Sequence, residues 1–325
     1  MKGELTTLKN VGNTCYINSI IQVLRHTEIM NNFLDNLPSE YYNNKRATIL
    51  REWNSLRKIM WQQRCTVSPY RFLHFIRQGE KTKDVTNNYD QQDVGEFLIK
   101  LLEEFHDGIK RNVKMNIEGR VRNKGDILFK EMYKEYKKLY EKNYSEIIDI
   151  YYGMQETLIY RLNTNKILCK KIEPLSILNL AILDDKAESL YDCMDEYCKS
   201  EILCGDNKWM NEETGLKEEV TISTKITLAP KILIISLKKY VNDKQLITFP
   251  LDNFNFSEYV NTKENVYYEL YGVCNHDGIQ SFGHYYSYVK INKKWYCFND
   301  IIVKEIRECD VVSKGAYCLF YKKKE

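Results

Sequence analysis

Apolar positions follow two regimes along the chain. Up to about residue 144 they recur at three- and four-residue spacing, and after Gly153 they gather into short runs. In the first regime, Tyr16, Ile20, Val23 and Leu24 share one helical face. Asn10, Gly12 and Asn13 before them favour turns and positive φ. Asn13 or Thr14 stands where the N-cap of that helix belongs. Segment 47–61 predicts a second helix through Ile49, Trp53, Leu56, Ile59 and Met60. Ser68 and Pro69 then open a third as cap and first residue, with Phe72, Leu73 and Ile76 inward and Gly79 as the stop. The strongest pattern is 90–109, where Val94, Phe97, Leu98, Leu101, Leu102, Phe105 and Ile109 keep the period and Asp90 serves as cap. Segment 129–144 predicts a helix with Met132, Tyr133, Tyr136 and Tyr140 on one stripe.

Beyond Gly153 the runs predict strands at 157–160, 166–170, 176–180, 221–227, 231–240, 266–275 and 315–322, with one helix at 187–198. Segments 284–291 and 294–298 form a hairpin about Asn292 and Lys293. Segment 231–240, KILIISLKKY, is almost continuously apolar and is expected at the centre of a sheet. The class is α+β, with a helical first half, an antiparallel second half and a cleft between them as the expected site.

A chain of 325 residues is large for one core, so two or three sub-lobes are expected. Five prolines argue against long linkers, and a net charge of +3 gives no reason to expect nucleic acid. The first ten residues hold no apolar run, so no signal peptide is expected. No stretch approaches the ~18 apolar residues of a membrane span, so no membrane partner is expected either. Ten cysteines without a secretory signal are expected reduced, in cytoplasm or nucleus. They include no CxxC pair, and Cys193, Cys198 and Cys204 make a poor zinc pattern. Segment 110–142 departs from this balance, with eleven Lys or Arg against five Asp or Glu. Its default reading is a solvated helix with an aromatic packing stripe, and its alternative a surface for an acidic partner.

Candidate chemistry begins at Cys15. In the first turn of a helix, free N–H groups and the positive dipole end favour a thiolate nucleophile. The bland alternative is a small buried hydrophobe. A nucleophilic cysteine needs a base and a group that orients the base. His26, His74 and His106 lie on predicted helices, whereas His276 and His284 flank a glycine-containing loop, 277–283. Asn299 follows His284 by one hairpin and is placed to accept its ring N–H. The order Cys…His…Asn is the papain-like arrangement. Asn10 is the candidate oxyanion donor beside the Cys15 backbone N–H. The polar opening Asp90-Gln91-Gln92-Asp93 reads either as capping with a solvated first turn or as groups aimed at a peptide.

These residues carry a resemblance to the catalytic domain of ubiquitin-specific proteases. LKNVGNTCYINSIIQVL (8–24) resembles the family's Cys box, YDQQDVGEFLIKLL (89–102) its QQD helix and ILIISLKKY (232–240) its central strand. YELYGVCNHDGIQSFGHYYSYVK (268–290) with KWYCFND (294–300) resembles the His box, and GAYCLFY (315–321) the closing strand. The resemblance implies a papain-like cysteine protease of thumb, palm and fingers, spanning 1–325 as one catalytic domain. Within it 1–110 would be thumb, 111–150 a basic helical insert, 151–230 fingers with part of the palm, and 231–325 palm. It implies Cys15 as nucleophile, His284 as base, Asn299 as orienting residue, Asn10 as oxyanion donor and Asp300 as an assisting acid. Gln91, Asp93 and Glu96 would contact the tail of ubiquitin, and ubiquitin and ubiquitinated proteins would be the partners. The implied activity is hydrolysis after the C-terminal glycine of ubiquitin. Two rivals are a catalytically silent ubiquitin-binding module and a protease for another ubiquitin-like modifier. The family often binds zinc through two CxxC pairs in the fingers. Here those pairs would fall near Arg161 and Thr164 and in segment 209–214, where no cysteine stands. Around Cys204-Gly205-Asp206-Asn207-Lys208-Trp209 the chain is similar to the zinc-free fingers of the herpesvirus-associated ubiquitin-specific protease. No metal and no cofactor are expected.

Overall fold

The computed structural model describes residues 2–42, 44–86, 92–164, 166–182, 187–239, 245–261, 265–279 and 282–325, apart from the side chains of 42, 124, 279 and 282. The chain opens with β1 (Thr7–Leu8), α1 (Cys15–Arg25), α2 (Glu28–Asp35), α3 (Ser39–Tyr42) and α4 (Thr48–Gln62). β2 (Thr66–Val67), parallel to β1, α5 (Tyr70–Ile76) and α6 (Val94–Ile109) follow. All eleven residues of α1 are buried, because α6 covers one side and the large sheet another. α4 turns Ile49, Trp53, Leu56 and Met60 inward as expected, but Ile59 is 48% exposed. α6 starts at Val94, with its apolar pattern and later than the predicted 90, and Asp93 caps it by accepting the Glu96 N–H at 2.9 Å. Asp90, the expected cap, lies outside the described residues. A Cβ at Gly95 would crowd the capping carboxylate, 3.1 Å from Asp93 Oδ1.

α7 (Lys124–Tyr140) begins ahead of its predicted start because Asn123 and Asp126 form a capping box, which places Gly125 inside the helix. Met132, Tyr136 and Tyr140 pack with Met154 and with Ile148 of α8 (Glu146–Tyr151). Tyr133, expected on the same stripe, faces solvent.

The remaining elements are mainly strands. β3 (Gly153–Arg161), β4 (Ile167–Leu175), β5 (Leu178–Ile182), α9 (Leu190–Cys198), β6 (Glu201–Leu203), β7 (Trp209–Met210), β8 (Lys217–Glu218) and β9 (Val220–Leu228) come first. Strands β4-β3-β9-β6 form one sheet, and β7-β8 a small hairpin. β10 (Ile232–Lys239), β11 (Phe254–Asn255), β12 (Tyr267–Ile279), β13 (Phe282–Ile291), β14 (Lys294–Asn299), β15 (Ile302–Ile306) and β16 (Ala316–Lys323) complete the chain. The large sheet runs β15-β14-β13-β12-β16-β10-β5, with β11 joined to β12. β10 is therefore one strand from the edge, not central, and its edge partner β5 is parallel to it. Its continuous apolar sequence has another cause. Ile232 and Ile234 enter the core shared with the helices, while Leu233, Ile235 and Leu237 enter the core on the opposite face. The expected loop 277–283 is mostly strand, since Asp277 pairs with His284 and Gly278 with Gly283; only 280–281 lie between the described strands.

Candidate active site

Cys15 starts α1 after a turn in which Gly12 (φ 99°) and Asn13 (φ 49°) take left-handed backbone. Thr14 occupies the N-cap position but makes no side-chain capping bond. Its hydroxyl donates instead to Asn10 Oδ1 at 3.2 Å and accepts the Val11 N–H. The Cys15 side chain is buried, and the thiol departs from the thiolate that its helix position favours. Burial pushes its pKa up and outweighs hydrogen bonds from the backbone amides of Tyr285, Tyr16 and Cys15 itself; the nearby Asp300 carboxylate pushes the same way as burial.

The sheet supplies the facing groups. His284 stands on β13 and is 40% exposed at its side chain. Its Nε2 lies 2.7 Å from Asn299 Oδ1, at the end of β14. An amide oxygen only accepts, so this contact places the proton on Nε2 and leaves the Nδ1 lone pair able to accept one. His276 is placed differently: its ring packs on Tyr285 at 4.5 Å and against Gly283, where any Cβ would meet Nε2 at 2.1 Å. His26 and His106 bond to Gln22 O and Ser145 Oγ within the helical lobe.

Asp300 ties the two halves together. Oδ2 accepts from Asn10 Nδ2 at 3.0 Å and lies 4.0 Å from His284 Nε2. Oδ1 accepts from Asn18 Nδ2 at 2.8 Å, and the backbone carbonyl accepts the Leu8 N–H at 3.1 Å. Asn10 Oδ1 receives the N–H groups of Gly12 and Thr14, which orients its amide. One Nδ2 hydrogen goes to Asp300, leaving the second for an oxyanion. Asn18 belongs to this constellation and escaped the sequence reading, since a polar residue inside a helix signals nothing locally.

At the start of α6, Asp93 is occupied. Besides capping the helix, its Oδ2 accepts from Lys238 Nζ at 2.8 Å and from the Tyr317 hydroxyl. Burial opposes its ionisation, but these donors win and hold the carboxyl below the usual range. Glu96 is exposed, and Gln91 lies outside the described residues. Among the described residues no group of three His, Cys, Asp or Glu is arranged to hold a metal, and no helix is long and apolar enough to cross a membrane.

A helical lobe presenting a buried cysteine to a sheet that carries histidine and asparagine defines a papain-like fold. Residues 6–321 match the family described as ubiquitin carboxyl-terminal hydrolase, and the chain belongs to that family. It is 30% identical over 337 residues to the ubiquitin carboxyl-terminal hydrolase Usp2 of Drosophila melanogaster, across 98% of this chain and 35% of that protein. It is 26% identical to a probable ubiquitin carboxyl-terminal hydrolase of Acanthamoeba polyphaga mimivirus, across 98% of this chain and 90% of the relative. The chain thus spans about a third of the fly relative's length. In fold it is similar to the SAGA DUB module of Ubp8, Sgf11, Sus1 and Sgf73 bound to monoubiquitin. The TM-score is 0.73 at 22% identity, over 100% of this chain and 70% of that one.

Proposed function

We propose that the chain is a deubiquitinating cysteine protease that hydrolyses the isopeptide bond after the C-terminal glycine of ubiquitin on conjugated proteins. The observation that carries the reading is the 2.7 Å contact between His284 Nε2 and Asn299 Oδ1, facing a helix-start cysteine in a chain of this family. In the proposed cycle His284 Nδ1 takes the Cys15 thiol proton, and the thiolate attacks the isopeptide carbonyl. The second Asn10 Nδ2 hydrogen and the Cys15 backbone N–H stabilise the oxyanion. The imidazolium returns its proton to the leaving lysine amine, giving a thioester; His284 then deprotonates a water that releases ubiquitin and restores the thiol. Asp300 assists by holding Asn10. Burial holds the thiol pKa up, so the nucleophile depends on proton removal by the base. A reducing cytoplasm or nucleus suits such a thiol.

Glu96, with Gln91, is the proposed contact for ubiquitin's tail. Asp93, neutralised by Lys238, favours a second reading at that point: a modifier whose tail lacks an arginine there. In segment 110–142, four cations are paired with Asp107, Glu146, Glu141 and Glu135. Exposed Lys130 and Lys134 beside Tyr133 support a docking face for an acidic partner. Nothing in this reading calls for nucleic acid, a membrane or a cofactor.

The test is labelling with ubiquitin bearing a C-terminal electrophile, run beside other ubiquitin-like modifiers. Wild type is expected to form the ubiquitin adduct, Cys15→Ala none, and Asn299→Ala a slower one. Binding without an adduct indicates a silent module, and an adduct with another modifier alone indicates the second reading.

A further inference from the structure

The order of strands gives the cleft two ends. Asp93 with Lys238 on β10 and Tyr317 on β16 lies to one side of His284 on β13, and the β14–β15 turn lies to the other. The first end is where the proposed function brings in the modifier's tail, so the polypeptide carrying the conjugated lysine must leave by the second.

That second end has an unusual surface. The turn is two residues long, Asp300 and Ile301, closed by the pair Asn299 and Ile302. Asp300 has φ 48°, the kind of backbone that Asp, Asn and Gly accept in tight hairpins. Ile301 has no such reason to be there: it is β-branched and 60% exposed, and Ile302 beside it is 50% exposed. Neither packs against a hydrophobic core, whereas the half-buried Val303 and Ile306 on the same strand do. β15 is also the outermost strand of its sheet, and among the described residues nothing pairs with its outer edge. Exposed edges are usually blunted by charge or covered, and Lys304 and Glu305 supply charge to the later part of β15 but not to its start. Here two isoleucines directly follow Asn299 and Asp300.

We infer that Ile301, Ile302 and the start of β15 form the acceptor-side subsite, a seat for an apolar residue flanking the modified lysine in the conjugated polypeptide. This rests on the deubiquitinase reading and deepens it. The occupant is set by continuity: a chain whose lysine amine takes a proton from His284 passes over the turn that Asn299 begins. An extended segment can pair with the free edge of β15 while an adjacent apolar side chain covers the isoleucines. The subsite selects among conjugates by what surrounds the lysine and is indifferent to ubiquitin itself.

The experiment compares two kinds of substrate on wild type and an Ile301→Ser, Ile302→Ser double variant. One is ubiquitin with a C-terminal aminocoumarin amide, which has no acceptor chain. The other is ubiquitin linked through lysine to short peptides with Leu or Ser beside that lysine. Wild type is expected to prefer the Leu-flanked peptide. The variant should lose roughly tenfold in kcat/KM on it, lose the preference, and keep its rate on the coumarin amide. Leucine at both positions should restore the preference. Equal losses on amide and peptide, or a wild type active on the amide but blind to the flanking residue, would overturn the subsite alone. A wild type that turns over none of these substrates would overturn the deubiquitinase reading and the subsite with it.

Discussion

Asp300 holds more of the site than any of the three residues that would do the chemistry. Its two carboxylate oxygens take amide hydrogens from Asn10 and Asn18, and its backbone carbonyl takes the Leu8 N–H. Its charge has a cost for the nucleophile, because a nearby anion disfavours a second one. Burial is the larger cause of the raised Cys15 pKa, and Asp300 adds to it. The sign follows: Asp300→Asn removes the negative charge, favours the thiolate and lowers the pH at which Cys15 reacts. The pH profile of iodoacetamide alkylation at Cys15 should shift to lower pH in the variant. Ubiquitin-amide turnover should fall all the same, since an amide cannot accept from Asn10 and Asn18 as a carboxylate does. A midpoint that stayed put or rose would remove Asp300 from the electrostatics of the thiol.

Among elements, the tips of the β3–β4 and β7–β8 hairpins are joined by side chains at the place where the resemblance would put cysteine pairs. Arg161 Nε donates to Glu218 Oε2 at 2.7 Å, and Asn211 Nδ2 donates to Glu218 Oε1 at 2.9 Å. Leu162 N–H donates to the Glu219 carbonyl at 3.0 Å. This polar clasp joins the two segments in which the family's cysteine pairs would fall. Arg161→Ala should speed amide hydrogen exchange in 161–164 and 209–218, while a chelator should leave wild-type exchange unchanged. Unaltered exchange in the variant would mean the backbone bond alone closes the tips. The clasp also marks what the sequence displayed. Missing cysteines were visible at once; their polar replacement was not, because Arg161 and Glu218 lie 57 residues apart. The same holds for Asp93 and Lys238, 145 residues apart, and for Asn18 and Asp300. By contrast Cys15, His284 and Asn299 were legible, since turn glycines, a hairpin and chain order place them. Helix starts at Val94 and Lys124 misled, because Asp93 and Asn123 supply the caps, in place of Asp90 for the one and a start near Phe129 for the other. The rank of β10 misled because a continuous apolar strand reports two covered faces, not a central place.

At the scale of the molecule, the site exists only while α1 is seated on the sheet, since Cys15 comes from the helical lobe and His284 and Asn299 from β13 and β14. The seat is tight at Gly272 on β12, where a Cβ would lie 2.6 Å from Val23 Cγ1 and 3.3 Å from Cγ2. Val23 cannot turn aside: it is fully buried, and a helical valine has one strongly preferred rotamer. The register of β12 against β16 shifts between Leu270 and Gly272, and Tyr271 there bonds through its hydroxyl to Thr27 Oγ1 at 2.8 Å. Gly272→Ala should therefore lift α1 from the strand, costing about 1–3 kcal/mol, as overpacking in a close-packed core does. It should also slow labelling by electrophilic ubiquitin at temperatures where circular dichroism still reports a folded chain. Ile59→Ser, on the exposed side of α4, should leave both unchanged. Lost stability with undiminished labelling would mean that Asp300, bonded to Leu8, Asn10 and Asn18, sets the distance from cysteine to histidine without help from the sheet beneath α1.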